Sequence, residues 1–96
     1  MTDIQQQVLD SIDGDWIAGL TEQLVRIPSV TMQEQEVCGY FEQRMSELGF
    51  DVDVREVTPG RPNLYARIAG TGNGPTLMFN GHLDTIPNQT DQPCYR

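Results

Sequence analysis

The segment Asn80-Gly81-His82-Leu83-Asp84-Thr85-Ile86-Pro87 holds the only histidine of the chain, two residues before a carboxylate. Side chains alternate along extended backbone, so His82 and Asp84 would share one side, and that pairing suits a metal site. A carboxylate that accepts from one ring N–H fixes the imidazole tautomer and raises the basicity of the other nitrogen, which is then free to meet an ion. Gly81 removes a side chain that would crowd the approach, and Pro87 stiffens the exit. Alone, His-x-Asp is a weak signal, because a histidine beside a carboxylate is commonly only a surface hydrogen bond.

Other chemistries fall away on residue types. All six basic residues are arginine, and a chain without lysine forms no Schiff base and completes no Walker-type phosphate loop. Gly70-Thr71-Gly72-Asn73-Gly74-Pro75 is rich in glycine, but Pro75 and an apolar run follow it where a phosphate loop would open a helix. A flexible connector is the expectation there. Cys38 and Cys94 are too few for a secreted disulfide scaffold, so both are expected to be free thiols in a reducing compartment. Six basic residues against fourteen acidic ones leave a net charge of −8, which repels phosphate backbones and speaks against nucleic acid as a partner. No apolar run approaches the roughly 20 residues that cross a bilayer, and the first residues lack a basic and apolar leader pattern. The expectation is a cytoplasmic protein with no membrane partner.

The elements that must hold the His-x-Asp segment can be read from periodicity. Ile4, Val8, Leu9 and Ile12 form one helical stripe, and Ile17, Leu20, Leu24 and Ile27 form a second. Gly14 separates them, Asp13 or Asp15 caps the second, and Pro28 ends it. Thr31 and Glu34 are spaced as a capping box, which predicts a third helix over Met32 to Leu48 with Gly49 at its left-handed end. Its apolar stripe, Val37, Phe41, Met45 and Leu48, has Cys38 beside it as core filler, while Glu36, Glu42 and Glu47 make a solvated face. Trp16 is expected to close the packing of the first helices, and Tyr40 and Tyr65 to be half-buried.

Phe50, Val52 and Val54 alternate with polar residues as a strand with one wet face, and Leu64, Ala66 and Ile68 do the same beyond the turn Thr58-Pro59-Gly60-Arg61-Pro62. A hairpin is the natural pairing. Thr76-Leu77-Met78-Phe79-Asn80 is apolar at consecutive positions and predicts a third strand, the most buried element of all. The fold class is therefore α/β, with two or three N-terminal helices on a partial sheet of about three strands. Residues 88–96 read as a polar, disordered tail that can cover nothing, so residues 1–87 either cover their sheet with the upstream helices alone or are part of a larger domain.

Taken together, four segments resemble the zinc-dependent aminoacylase, carboxypeptidase and acetylornithine deacetylase/succinyl-diaminopimelate desuccinylase family. They are Leu24-Val25-Arg26-Ile27-Pro28-Ser29-Val30, Glu47-Leu48-Gly49-Phe50, Arg61-Pro62-Asn63-Leu64 and Gly81-His82-Leu83-Asp84-Thr85-Ile86-Pro87, in the family's order and spacing. The resemblance implies that His82 is a zinc ligand and Asp84 the carboxylate at the catalytic centre that orients it. It further implies two zinc ions about 3.5–4 Å apart, bridged by an aspartate and a water that a glutamate deprotonates to attack an amide carbon. The match ends before the bridging aspartate, the glutamates, the remaining ligands and the dimerisation domain. On this reading the chain is an amino-terminal fragment of a hydrolase of N-acyl amino acids or peptides, inactive alone and with weak or absent zinc binding. A homodimer is open only to the full-length protein.

Two rivals compete with that reading. The chain could be a complete acidic interaction module with an inherited His-x-Asp, in which case the coding DNA beyond Arg96 would show a clean stop and no continuation. A single-metal hydrolase built on His82, Asp84 and further carboxylates would require helix-surface acids to turn inward, which ranks it last. Arg26 and Arg61 could bind a substrate carboxylate, although nothing in their spacing requires it.

Overall fold

A computed structural model describes residues 1–87, in which three helices precede one antiparallel hairpin. Helix α1 (Asp3–Asp10) opens with a capping box: the Thr2 hydroxyl accepts from Gln5 N–H while the Gln5 side chain accepts from Thr2 N–H. Helix α2 (Gly14–Arg26) starts where Asp13 Oδ1 accepts from the backbone N–H groups of Asp15 and Trp16, both at 3.1 Å. It ends at Arg26, two residues before Pro28, with Ile27 between them in the extended conformation that a following proline imposes.

Helix α3 (Gln35–Glu47) closes on Gly49, whose φ of +93° lets the Phe50 and Gly49 N–H groups reach back to the Met45 and Ser46 carbonyls. Two crossed bonds of this kind satisfy carbonyls that the helix end would otherwise strand. The N-terminus of α3 departs from expectation. The helix begins three residues later than the Thr31 signal predicts, and Glu34 at the cap position offers it no side-chain bond. Thr31 and Glu34 are engaged elsewhere, as described below.

Strands β1 (Asp51–Thr58) and β2 (Arg61–Arg67) pair antiparallel, with Val52 opposite Ala66 and Val54 opposite Leu64, and an irregularity between Glu56 and Thr58. Pro59 presets the backbone of the tight turn and Gly60, at φ +80°, supplies its left-handed residue. Helix α3 packs on this hairpin, and there the buried hydrophobic core consists of Val37 and Cys38. Helix α2 is tied to α3 by polar contacts: Gln23 Oε1 accepts from the Tyr40 hydroxyl and, at 2.9 Å, from Arg44.

Among the described residues the sheet has two strands and not three. Residues 76–80 form no strand, and Leu77, Met78 and Phe79 are 78%, 81% and 89% exposed, where the consecutive apolar pattern predicts the most buried element. A strand needs a neighbour to satisfy its backbone and a layer on each apolar face, and the described residues provide neither at this position. The apolar stripe of α1 is uncovered for the same reason, whereas Leu20, Leu24 and Ile27 of the second stripe are half-buried. Ile4, Val8, Leu9, Ile12, Trp16 and Ile17 are all about half exposed or more, so Trp16 closes no packing. Tyr40 is half-buried as expected, whereas Tyr65 is exposed. A radius of gyration of 16.5 Å, against about 12 Å for a closed domain of this size, states the same openness. The tail expectation, with Cys94, falls on residues 88–96, outside the described residues.

Candidate functional site

His82 and Asp84 lie on irregular backbone beyond the apolar segment, not on a strand. They meet nonetheless. His82 Nδ1 is 2.9 Å from the backbone oxygen of Asp84 and 3.0 Å from its carboxylate Oδ1. Both neighbours are acceptors, so Nδ1 carries the proton and donates, and the lone pair is left on Nε2. The imidazole is 82% exposed and the Asp84 side chain 33%.

What holds this pair is a loop-to-loop contact between two segments far apart in sequence. Val30 and Thr85 form a parallel bridge, with Thr85 N–H donating to Ser29 O at 2.8 Å and Thr31 N–H donating to Thr85 O at 3.2 Å. The hydroxyls of Ser29, itself buried, and Thr85 lie 3.3 Å apart. Beside the bridge, the Thr31 hydroxyl donates to Asp84 Oδ2 at 2.7 Å. The Thr31 hydrogen bond, and after it His82, holds the Asp84 carboxyl below the usual carboxylate range, against an opposing effect of desolvation.

The residues after Thr31 are fixed in turn. Gln33 N–H donates to Val30 O at 2.8 Å across a tight turn that places Met32 at φ +82°, a conformation L residues rarely adopt. Glu34 Oε1 accepts from Met32 N–H at 2.9 Å and from Arg61 Nη2 at 2.8 Å, while Arg61 Nε reaches Oε2 at 3.3 Å. The Arg61 guanidinium, forked onto this carboxylate, is the main reason the Glu34 carboxyl is held low. Arg61 thus joins the start of β2 to the Thr31 turn.

Sequence reasoning anticipated that the His82 and Asp84 side chains meet. It missed the roles of Thr31, Ser29 and Glu34, and it left Arg61 without one. The signal was present but pointed elsewhere: Thr31 and Glu34 match a capping box, yet here both side chains serve the loop. Cys38, 1% exposed and with its thiol pushed up by burial, is the inert core residue expected. Among the described residues Arg26 pairs only with Glu22, on an exposed helix face.

One imidazole and one orienting carboxylate do not make a zinc site, since a catalytic zinc takes three protein ligands and a water. Among the described residues no three His, Cys, Asp or Glu side chains converge. Nor is any described helix long and apolar enough to cross a membrane.

The chain is 45% identical over 73 residues to the succinyl-diaminopimelate desuccinylase of Methylorubrum populi and 47% identical to that of Methylorubrum extorquens. It is 44% identical over 68 residues to that of Cereibacter sphaeroides. Each match takes in 71% of this chain, which spans only 18% of the relative's length. No family model matches the chain, and no solved structure gives a significant match. Over the segment it shares with them, this chain is a homologue of the succinyl-diaminopimelate desuccinylases, and its coverage is that of a fragment of such a protein.

Proposed function

We propose that the chain contributes part of the catalytic domain of a zinc-dependent amidohydrolase that removes an acyl group from an N-acyl amino acid. The observation that carries this reading is the 44–47% identity to proteins named for the desuccinylation of succinyl-diaminopimelate. Within it, His82 is a metal ligand through Nε2 and Asp84 the carboxylate that holds the ring with its proton on Nδ1. Neither residue carries a chemical step alone, so the 96 residues by themselves do not turn over substrate. Two zinc ions, the general base and the remaining ligands belong to the full-length polypeptide, as does any homodimer, and the protein works in the cytoplasm.

A non-catalytic acidic module would also present exposed apolar residues such as Leu77 and Phe79. A chimera separates the two readings. Residues 1–87 replace the corresponding segment of the Methylorubrum populi desuccinylase, and hydrolysis of N-succinyl-diaminopimelate is measured with and without zinc. Zinc-dependent turnover that His82→Ala abolishes, and that Asp84→Asn lowers about 10–100-fold, is the expected result. A folded chimera that stays inactive with zinc, or one indifferent to His82→Ala, overturns the hydrolase reading. Sustained turnover by the isolated chain overturns its dependence on further residues.

A further inference from the structure

We propose that Thr31 is a positioning residue for the His82–Asp84 pair: its hydroxyl pins the Asp84 carboxylate and thereby sets the tautomer of His82. This deepens the functional reading above and rests on it for the importance of a free Nε2. The geometry divides the work of one carboxylate between two partners. Oδ1 receives the imidazole proton at 3.0 Å, and Oδ2 receives the Thr31 hydroxyl at 2.7 Å. Without the second bond the terminal torsion of an aspartate is loosely defined, and Oδ1 has no fixed place beside Nδ1.

Thr31 is suited to the task because its own backbone is held from both sides. Its N–H is bonded to Thr85 O, one residue past Asp84, and the turn that follows it is tied down by Glu34 through Met32 N–H. Glu34 is in turn gripped by Arg61. The hydroxyl is not consumed by helix capping, since α3 starts at Gln35. A line of bonded groups therefore runs from Arg61 on the hairpin to the imidazole rim. His82 Nδ1 also faces the backbone oxygen of Asp84 at 2.9 Å, so the carboxylate supplies a share of the tautomer preference and not all of it.

The single histidine makes the test direct. The ring nitrogens of the zinc-free 96-residue chain are observed by nitrogen-15 NMR at alkaline pH, where imidazole is neutral. The amide signals of β1 and β2 report the fold in the same samples. The wild-type chain is expected to favour the Nδ1–H form. Thr31→Val is expected to lower the ratio of Nδ1–H to Nε2–H about threefold (~0.7 kcal/mol at 1.4 kcal/mol per tenfold). Thr31→Ser, which keeps the hydroxyl, restores the ratio, and Asp84→Ala lowers it at least as far as Thr31→Val.

An unchanged ratio in Thr31→Val overturns the proposal, and so does a shift that Thr31→Ser fails to reverse. Loss of the hairpin signals in Thr31→Val overturns it as well, because the threonine would then be a structural residue only. The tautomer ratio reads positioning without zinc or substrate, whereas the chimera assay reads hydrolysis, so each can fail while the other stands.

Discussion

Phe79 is 89% exposed and is the last apolar residue of the segment 76–80, which ends two residues before His82. In this chain the ring contributes almost nothing to stability. Fully burying an aromatic or aliphatic side chain of this kind is worth about 1.5–3 kcal/mol. Covering Leu77, Met78 and Phe79 together would therefore release roughly 4–7 kcal/mol that the described residues leave unclaimed, as much as a small domain's entire margin. Phe79→Ala in the 96-residue chain is expected to change stability by less than about 0.5 kcal/mol. In the desuccinylase chimera, where the segment gains neighbours, the same substitution is expected to cost about 3–5 kcal/mol. Urea unfolding followed by circular dichroism measures both. A loss above about 1.5 kcal/mol in the isolated chain would mean that the ring is packed there, and an unchanged chimera would mean that nothing ever covers it.

Glycine substitutions separate backbone conformation from space. A Cβ at Gly39, inside α3, and one at Gly49, at φ +93°, would each meet nothing within 4 Å. Urea midpoints should therefore show Gly39→Ala stabilising by about 1 kcal/mol and Gly49→Ala destabilising by about 1 kcal/mol. Glu34 should impose an acid limit on the fold. Because Arg61 lowers the Glu34 carboxyl below 4.5, its contribution is fully present above that value and disappears as pH falls through the lowered one. Glu34→Gln should flatten the stability profile in that window, and an unaltered acid limb would deny the ion pair its role. Cys38, 1% exposed with its thiol raised by burial, should react with a disulfide reagent in a Cys94→Ser background only after urea is added.

How much was legible from sequence depends on whether the relevant physics is local. The two early helices, a cap at Asp13 or Asp15 that the structure places at Asp13, the stop before Pro28, the Gly49 terminus and the hairpin follow from neighbours within a few residues, and the structure has them all. The pairing of His82 with Asp84 is also local. The error at residues 76–80 is of another kind: a consecutive apolar run states what a segment needs, not what the described chain supplies. The Thr31 contact was illegible for a third reason. A Thr-x-x-Glu spacing is equally compatible with a cap and with two side chains bonded to partners 53 and 27 residues away, and only the long-range bridge between Val30 and Thr85 decides.

The central claim, that this chain brings one metal ligand and its orienting carboxylate to a shell completed by other residues, is tested most directly by zinc titration calorimetry. The isolated chain and the chimera are each measured with and without His82→Ala. The account predicts negligible and equal heats from the two isolated chains, and a chimera isotherm that His82→Ala weakens by at least about tenfold. A stoichiometric isotherm from the isolated chain that His82→Ala abolishes, or a chimera that binds zinc equally well without the imidazole, would contradict it.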